Sequence, residues 1–459
     1  MAKRRVCAAR LSPRGSSPTQ SRRPLQPACD PCPPPAPPAC GRGAKPGGPA
    51  GPAGRSAVGK VTGEEIVRIA AKGDGVTASG RHVSGAAPGD VLLDDGSLRR
   101  GPHHATPPCR HFGTCGSCQL QHLDEEALAS FVADRVANAA AGQGLAPQRI
   151  AEPHLSPPRS RRRATLHAAR AGGRVLLGFR EAGSHRIVDM AECDVLSPEV
   201  FALVGPLRKL LAGRGGRLAA DLELTLVEQG VDVAIRGISV EGLAQTEAML
   251  DFARDHGLAR LSVDQGFGPE AMWVPEPVTV SLSGVSVPFP SGSFLQATAD
   301  GEAALADAAR EWLDGAATVA DLFSGLGTFA FALAGPAKVL AVEAARDAHL
   351  ACKGAAAHAQ RPVHAMHRDL FRNPLQPDEL NRFDAVLLDP PRAGAREQVG
   401  TLAQSTVPRV VYVSCNPSSW ARDAATLVAG GFRLVEVRPV GQFRWSTHVE
   451  LASLFERAA

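Results

Sequence analysis

The pattern after Phe294 restricts this chain most. Short apolar runs there alternate with alanine-rich stretches of helical character. The runs are Thr318 to Phe323, Val339 to Glu343, Ala385 to Asp389, Val410 to Ser414 and Phe432 to Val437, and before them Leu305, Ala309, Trp312 and Leu313 fall on one helical face. Strand and helix in alternation predict an α/β domain over 291–459, Rossmann-like, built on a mainly parallel sheet. Sheets of that kind bind ligands beyond the carboxyl ends of their strands, so the chemistry is expected just after those runs.

At 459 residues the chain exceeds one ordinary core. Residues 1–55 are dominated by Pro, Gly, Ala, Ser and Arg, a composition that cannot offset its ordering entropy by burial, and are expected to form a disordered tail. Cys29, Cys32 and Cys40 lie in that tail without an apolar scaffold to hold a metal. Over 56–101, the runs Ile66-Val67-Arg68-Ile69 and Val91-Leu92-Leu93 sit between turns at Gly73-Asp74-Gly75 and Pro88-Gly89-Asp90, which predicts a small β-barrel. Residues 102–290 mix strand-like pieces (Val175 to Phe179, Leu222 to Leu226, Val231 to Ile235) with helix-like ones near Glu199 to Leu211 and Ala244 to His256, an α+β middle domain.

Nothing approaches the run of about 18 apolar residues that a membrane helix requires. Arginines interrupt the N-terminus where a secretory signal would need an apolar core, so the chain is assigned to the cytoplasm and read as a monomer. A net charge of +4 with 21% charged residues excludes a uniformly basic surface, and a polyanion must be met by a local patch.

The segment Asp321-Leu322-Phe323-Ser324-Gly325-Leu326-Gly327-Thr328 ends a strand and opens a helix, and its glycines let the backbone pass close to a ligand. It lacks the full dinucleotide fingerprint and the lysine of a phosphate-binding loop, which disfavours NAD and ATP. Glu343 ends the next strand, where a carboxylate suits a ribose diol, and Asp369 follows the strand after it. This set resembles class I S-adenosylmethionine (SAM) methyltransferases, in which the loop takes the methionine part of SAM and the next acid takes the ribose.

Asp389-Pro390-Pro391 is a motif shared with enzymes that methylate exocyclic amines, but Arg392 follows where those carry an aromatic residue. Cys415 ends another strand, in Val413-Ser414-Cys415-Asn416-Pro417, and a thiol on that rim can act as a nucleophile. The bland alternative is a buried structural cysteine. Methylation at carbon C5 of uracil requires such a sulfur, because thiolate addition at C6 makes C5 nucleophilic, and a base must then remove the C5 proton. Glu450, in His448-Val449-Glu450, is the carboxylate placed for that task.

Phe294-Leu295-Gln296, the Asp321 to Thr328 loop, Asp389 to Arg392, Tyr412 to Pro417 with Ala421-Arg422-Asp423, and His448 to Glu450 occur together in an order that resembles the RNA uracil-C5 (5-methyluridine) methyltransferase family. The resemblance implies that Cys415 is the nucleophile and Glu450 the proton acceptor. It also implies that Gln296, Phe323, Gly325, Gly327, Thr328, Glu343, Asp369 and Asp389 surround SAM, with Asp389 also near the base. Thr298 stands where the family has Asn, Ser324 where Cys is common, and Gly441 to Ser446 in place of an Asp-x-Phe-Pro-x-Thr pattern.

Ten cysteines in a chain assigned to the cytoplasm favour metal or catalysis over disulfides. Cys109, Cys115 and Cys118, with Cys193 further on, approximate a three-plus-one iron–sulfur framework, with zinc as the competing metal. The resemblance tips this toward a [4Fe-4S] cluster, since the ribosomal RNA branch of the family carries this cysteine pattern behind an N-terminal TRAM barrel. A fourth ligand also separates the pattern from radical SAM enzymes, which leave one iron open. Arg161, Arg162 and Arg163 form the densest basic run outside the tail and are expected to meet RNA phosphate. Phe112 and His122 are candidates to stack on unpaired bases or to pack internally. The expected substrate is a uridine in structured RNA, 23S ribosomal RNA by the cysteine pattern. Transfer RNA is the alternative, and a non-catalytic RNA-binding factor with this fold is the other class.

Overall fold

The computed structural model describes residues 63–457, so the tail and its three cysteines lie outside the described residues. The anticipated parallel layer is present. Its strands run in the order Val363–His367, Lys338–Glu343, Thr318–Leu322, Ala385–Leu388, Arg409–Ser414, and all four junctions are parallel. Ala385–Leu388 is buried at every position and Arg409–Ser414 at all but its first, as expected for strands covered by helices on both faces. Chain order reverses between Thr318–Leu322 and Ala385–Leu388, which opens a crevice at their carboxyl ends.

Glu450–Arg457 then inserts antiparallel between Arg409–Ser414 and Phe432–Gly441. Because it runs the other way, its first residue lies where its neighbour ends, with Leu451 opposite Ser414. Two short segments from far upstream, Arg149–Ile150 and His154–Leu155, add to the outer edge along Phe432–Gly441. Helix Ala299–Trp312 is capped by Thr298, whose hydroxyl accepts from Gly301 N at 3.1 Å, so the Thr standing in place of Asn keeps the capping function. Helix Pro417–Ala429 is capped by Asn416 and has Pro at its first position. It buries Trp420, whose indole donates to Ser453 Oγ at 2.9 Å.

The middle layer is a six-stranded sheet in the order Pro269–Trp273, Arg260–Asp264, Gly230–Arg236, Ala219–Val227, Arg163–Ala171, Arg174–Gly178. Helices Pro198–Ala202, Val204–Ala212 and Gly242–Asp255 cover it, burying Leu207, Leu211 and Phe252 against Leu166, Leu222 and Val233. The hairpin Thr279–Leu282 with Val285–Pro288 buries Val280 and Val287 in the same cluster as Leu305 and Phe329 of the parallel layer. At the N-terminal end, Gly63–Ile69, Gly75–Thr77, His82–Val83, Val91–Leu93 and Leu98–Arg99 form an antiparallel five-stranded sheet. Asp90 pins it, accepting from Ala87 N and Gly101 N at 2.7 Å each and contacting His104 Nδ1 at 2.7 Å. Among the described residues, no helix is long and apolar enough to cross a membrane.

Candidate active site

The loop after Thr318–Leu322 is held in an unusual conformation. Phe323 has φ +63°, a left-handed state that costs a non-glycine residue about 1–3 kcal/mol and persists where surroundings enforce it. Gly327 has φ +95°, and a Cβ there would meet Phe331 and Cys352 Sγ at 2.8 and 2.9 Å, so glycine is required on both counts. Gly325 faces open space instead. Glu343 docks the loop by accepting from Gly325 N at 2.9 Å and Ala345 N at 2.6 Å. Thr328 begins the helix Thr328–Leu333.

Asp369 organises its own turn, accepting from Phe371 N at 3.0 Å and pairing with Arg372 at 3.5 Å. That turn lays Phe371 against Phe323, with ring centroids 5.3 Å apart. Asp321, which sequence reasoning read only as part of the loop, is fully buried, and neither carboxyl oxygen has a hydrogen-bond partner of good geometry. Burial, and then the neighbouring Asp389, hold its carboxyl well above the usual range. A buried carboxyl without a partner is costly and is the exception in folded proteins.

Asp389 follows Ala385–Leu388, and its N–H donates to Leu322 O at 3.1 Å. The loop it opens is anchored by the Arg422-Asp423 pair. Asp423 accepts from Ala395 N at 2.7 Å and Tyr412 Oη at 2.8 Å, and Arg422 donates to Ala393 O at 2.9 Å. Asn416 and Ser419 both donate to Arg392 O at 3.0 Å, which fastens this loop to the turn carrying Cys415.

Cys415 is half-buried, and Glu450 is buried beside it through the strand register. Burial first, then Glu450 and Asp389, push the Cys415 thiol up to about 11, while Arg392 pulls it down. Glu450 rises to about 8 through burial and Asp389, and Asp389 to about 7 through burial. Gln442 donates to Gln296 Oε1 at 2.8 Å and also hydrogen-bonds Glu450, where it favours the charged form. Its own carbonyl accepts from Thr298 N at 3.4 Å. Gln442 thus ties Gln296 to the acid. It lies in the Gly441 to Ser446 segment, whose departure from the family pattern was its only signal.

Cys415, Glu450 and Arg392 line one open cleft of about 590 Å³ with Phe443 and His448, and its opposite wall is Arg161, Phe179 and Arg180 of the middle layer. Phe294 stands at this cleft 61% exposed, with Arg163 above its ring at 5.4 Å. The basic run divides. Arg161 faces the cleft, but Arg162 turns into the protein, pairing with Glu302 at 2.6 Å and donating to Gln296 O at 3.0 Å. The expected phosphate role of Arg162 is corrected accordingly: alternation along a strand sends neighbouring side chains to opposite faces. Phe112 and His122 also pack internally, 5.6 Å apart, with His122 buried and contacting Ala86 O at 3.3 Å.

Cys109, Cys115, Cys118 and Cys193 are all free thiols lining a single cavity with Phe112 and Phe179. Burial raises all four, Cys118 to about 12. Among the described residues, no group of three or more His, Cys, Asp or Glu is placed to hold a metal ion.

A parallel sheet with this strand order, a glycine loop and acids at successive strand ends defines a class I SAM methyltransferase fold. The sequence profile of the tRNA (uracil-5-)-methyltransferase family matches residues 270–458. An RNA methyltransferase of Zymomonas mobilis is 49% identical over 86% of this chain and 100% of its own length. The 23S rRNA (uracil(1939)-C(5))-methyltransferase of Edwardsiella ictaluri is 34% identical over 79% of this chain and 84% of its own. The chain belongs to the RNA (uracil-5-)-methyltransferase family and is an enzyme of that kind. The Pyrococcus abyssi tRNA (uracil-54, C5)-methyltransferase, solved with S-adenosyl-L-homocysteine, has the same fold, with a TM-score of 0.66 at 22% identity over 86% of this chain and 100% of that one.

Proposed function

We propose that the enzyme methylates C5 of one uridine in 23S ribosomal RNA through a covalent adduct on Cys415, using SAM. The observation that carries this is the strand register that sets Cys415 beside Glu450 in an open cleft of about 590 Å³, where an extruded base could enter. Cys415 Sγ, as thiolate, bonds to C6 and drives the C5=C6 electron pair toward C5. Bound SAM would supply an electrophilic methyl group to C5, its methyl–sulfur bond breaking as the C5–methyl bond forms and S-adenosylhomocysteine leaving. Glu450 then removes the C5 proton, the C5=C6 bond re-forms, and the Cys415 sulfur leaves. Asp389, held by its loop next to Glu450, orients the base.

The residues present fit SAM. Gln296, Phe323, Gly325, Gly327, Thr328, Glu343, Asp369 and Asp389 would surround it, and the unpartnered Asp321 carboxyl suits its ammonium group. A [4Fe-4S] cluster would take Cys109, Cys115, Cys118 and Cys193, four thiols that line one cavity. The cluster would hold the cysteine loop in shape, and that loop donates from Gln119 N and Leu120 N to Trp445 O, at 2.8 and 2.9 Å, just ahead of Glu450. The N-terminal sheet is assigned as a TRAM module. The ribosomal substrate is favoured by the Edwardsiella relative, a 23S rRNA methyltransferase.

The test is trapping with RNA containing 5-fluorouridine, which cannot lose its C5 substituent. With SAM present, 23S fragments should give a stable protein–RNA adduct, transfer RNA transcripts none, and Cys415→Ala no adduct with either. Equal trapping by wild type and Cys415→Ala would sink the mechanism, and trapping on transfer RNA alone would reassign the substrate.

A further inference from the structure

Phe371 is an apolar ring held out into water, 41% exposed, by a turn that leaves it little freedom. Asp369 Oδ1 accepts from Phe371 N at 3.0 Å and from Arg372 N at 3.4 Å, and Asn373 N donates to Asp369 O at 2.8 Å. Arg368, itself largely buried, fastens the rest, donating to Asn373 O at 2.7 Å and Pro374 O at 2.8 Å and pairing with Glu379 at 2.7 Å. A ring fixed in this way costs little further ordering when a ligand packs on it.

The Phe371 ring meets that of Phe323, with centroids 5.3 Å apart and planes tilted by 52°. Phe323 follows Thr318–Leu322 and Phe371 follows Val363–His367, so the pair reaches past the end of the strand between them, Lys338–Glu343. Glu343, the acid suited to a ribose, ends that strand in register with His367, and Arg368 N donates to its carbonyl at 3.0 Å. The cleft around Cys415 is walled by other residues. Asp369, meanwhile, is turned to its own loop: one oxygen is shared by two amides, and the other faces Arg372 at 3.5 Å. What this turn offers to the crevice is the ring.

We infer that Phe371, backed by Phe323, is the platform on which the adenine of SAM stacks, and that Asp369 acts through Phe371 by fixing it, not by contacting the adenine amino group. This rests on the reading of the crevice as the SAM site. Adenine has a flat π face whatever its edge carries, so stacking gives affinity that does not depend on the 6-amino group.

The experiment measures, by calorimetry without RNA, how full-length enzyme binds S-adenosylhomocysteine and its analogue lacking the 6-amino group. Wild type, Phe371→Ala, Asp369→Ala and the double variant are compared. Wild type should bind the two ligands within about 3-fold of each other, and Phe371→Ala should weaken both by about 10-fold. Asp369→Ala should weaken both by a similar factor, and the double variant no further than Phe371→Ala, because the two residues act as one unit. Asp369→Asn, whose amide oxygen can accept the same bonds, should recover most of that loss. Phe371→Gln carries the test if the alanine variant does not fold. Binding of S-adenosylhomocysteine within about 2-fold of wild type by the Phe371 variants would overturn the inference. So would a wild-type preference of about 10-fold or more for the amino-bearing ligand, which would return Asp369 to direct contact with adenine. Wild type that binds neither ligand would overturn the SAM-site reading itself, a result distinct from both.

Discussion

Burial raises the proton affinity of Cys415, Glu450 and Asp389, and Asp389 lies close enough to the other two to raise theirs further. Glu450 at about 8, Asp389 at about 7 and Cys415 at about 11 all hold protons more tightly than their unfolded counterparts. A carboxyl raised by folding contributes stability that is complete below its unfolded value and is lost as pH rises through its folded value. The wild-type enzyme should therefore lose stability from about pH 4, where free carboxyls titrate, up to about 8, where Glu450 does. Glu450→Gln removes the group that must charge. Its unfolding midpoint should fall less steeply with pH than that of wild type and lie a few degrees higher at alkaline pH. The same variant should accumulate adduct with ordinary uridine RNA, because the C5 proton is not removed. Parallel midpoint curves, or no adduct, would count against Glu450 as the buried base. The place of Cys415 just beyond a strand end was legible in the sequence because the apolar run before it is unbroken. Gln442 was not, since an amide that relays between Gln296 and an acid carries no chemistry of its own to give it away.

At the scale of elements, the parallel strands were readable because both of their faces are buried and the apolar runs are unbroken, as at Ala385–Leu388. Arg149–Ile150 and His154–Leu155 were not, because a two-residue strand has no periodicity and owes its place to the edge it joins. Ala421-Arg422-Asp423 was legible as a motif but not as a device. Its work is structural: Asp423 is buried, takes hydrogen bonds from Ala395 N and Tyr412 Oη, and sits where any side chain at Gly394 would collide. Asp423→Ala leaves a buried hydroxyl and an amide unpaired, and each such loss costs about 1–3 kcal/mol. It should lower stability by about 2–5 kcal/mol in urea unfolding and reduce kcat more than SAM affinity, because the loop it anchors carries Asp389 and Arg392. Equal stability and full activity would show that the loop holds without it.

At the scale of the whole molecule, the middle and catalytic layers are joined by side chains that a linear reading assigns elsewhere. Arg162 lies in a basic run that suggests a surface patch, yet it is committed to the seam. Its amide donates to Ala297 O at 2.9 Å, its carbonyl accepts from Leu226 N at 2.7 Å, and its guanidinium spans Gln296 O and Glu302. Both charged side chains are nearly buried, at 14% and 12% exposure, and burial of Glu302 lifts its carboxyl above the usual range even against Arg162. Breaking one side of such a pair strands the other charge, at about 3–5 kcal/mol, while replacing both with apolar groups of similar size is nearly neutral. Arg162→Met and Glu302→Gln should therefore each destabilise the enzyme by about that amount, and Arg162→Met with Glu302→Leu should recover most of the loss. RNA affinity gives the second reading. A seam residue should leave the salt slope of binding unchanged, whereas a phosphate contact would reduce it by about one when removed. Additive losses in the double variant, together with a reduced slope, would return Arg162 to the RNA surface and leave the seam to its backbone hydrogen bonds and the hairpin Thr279–Pro288.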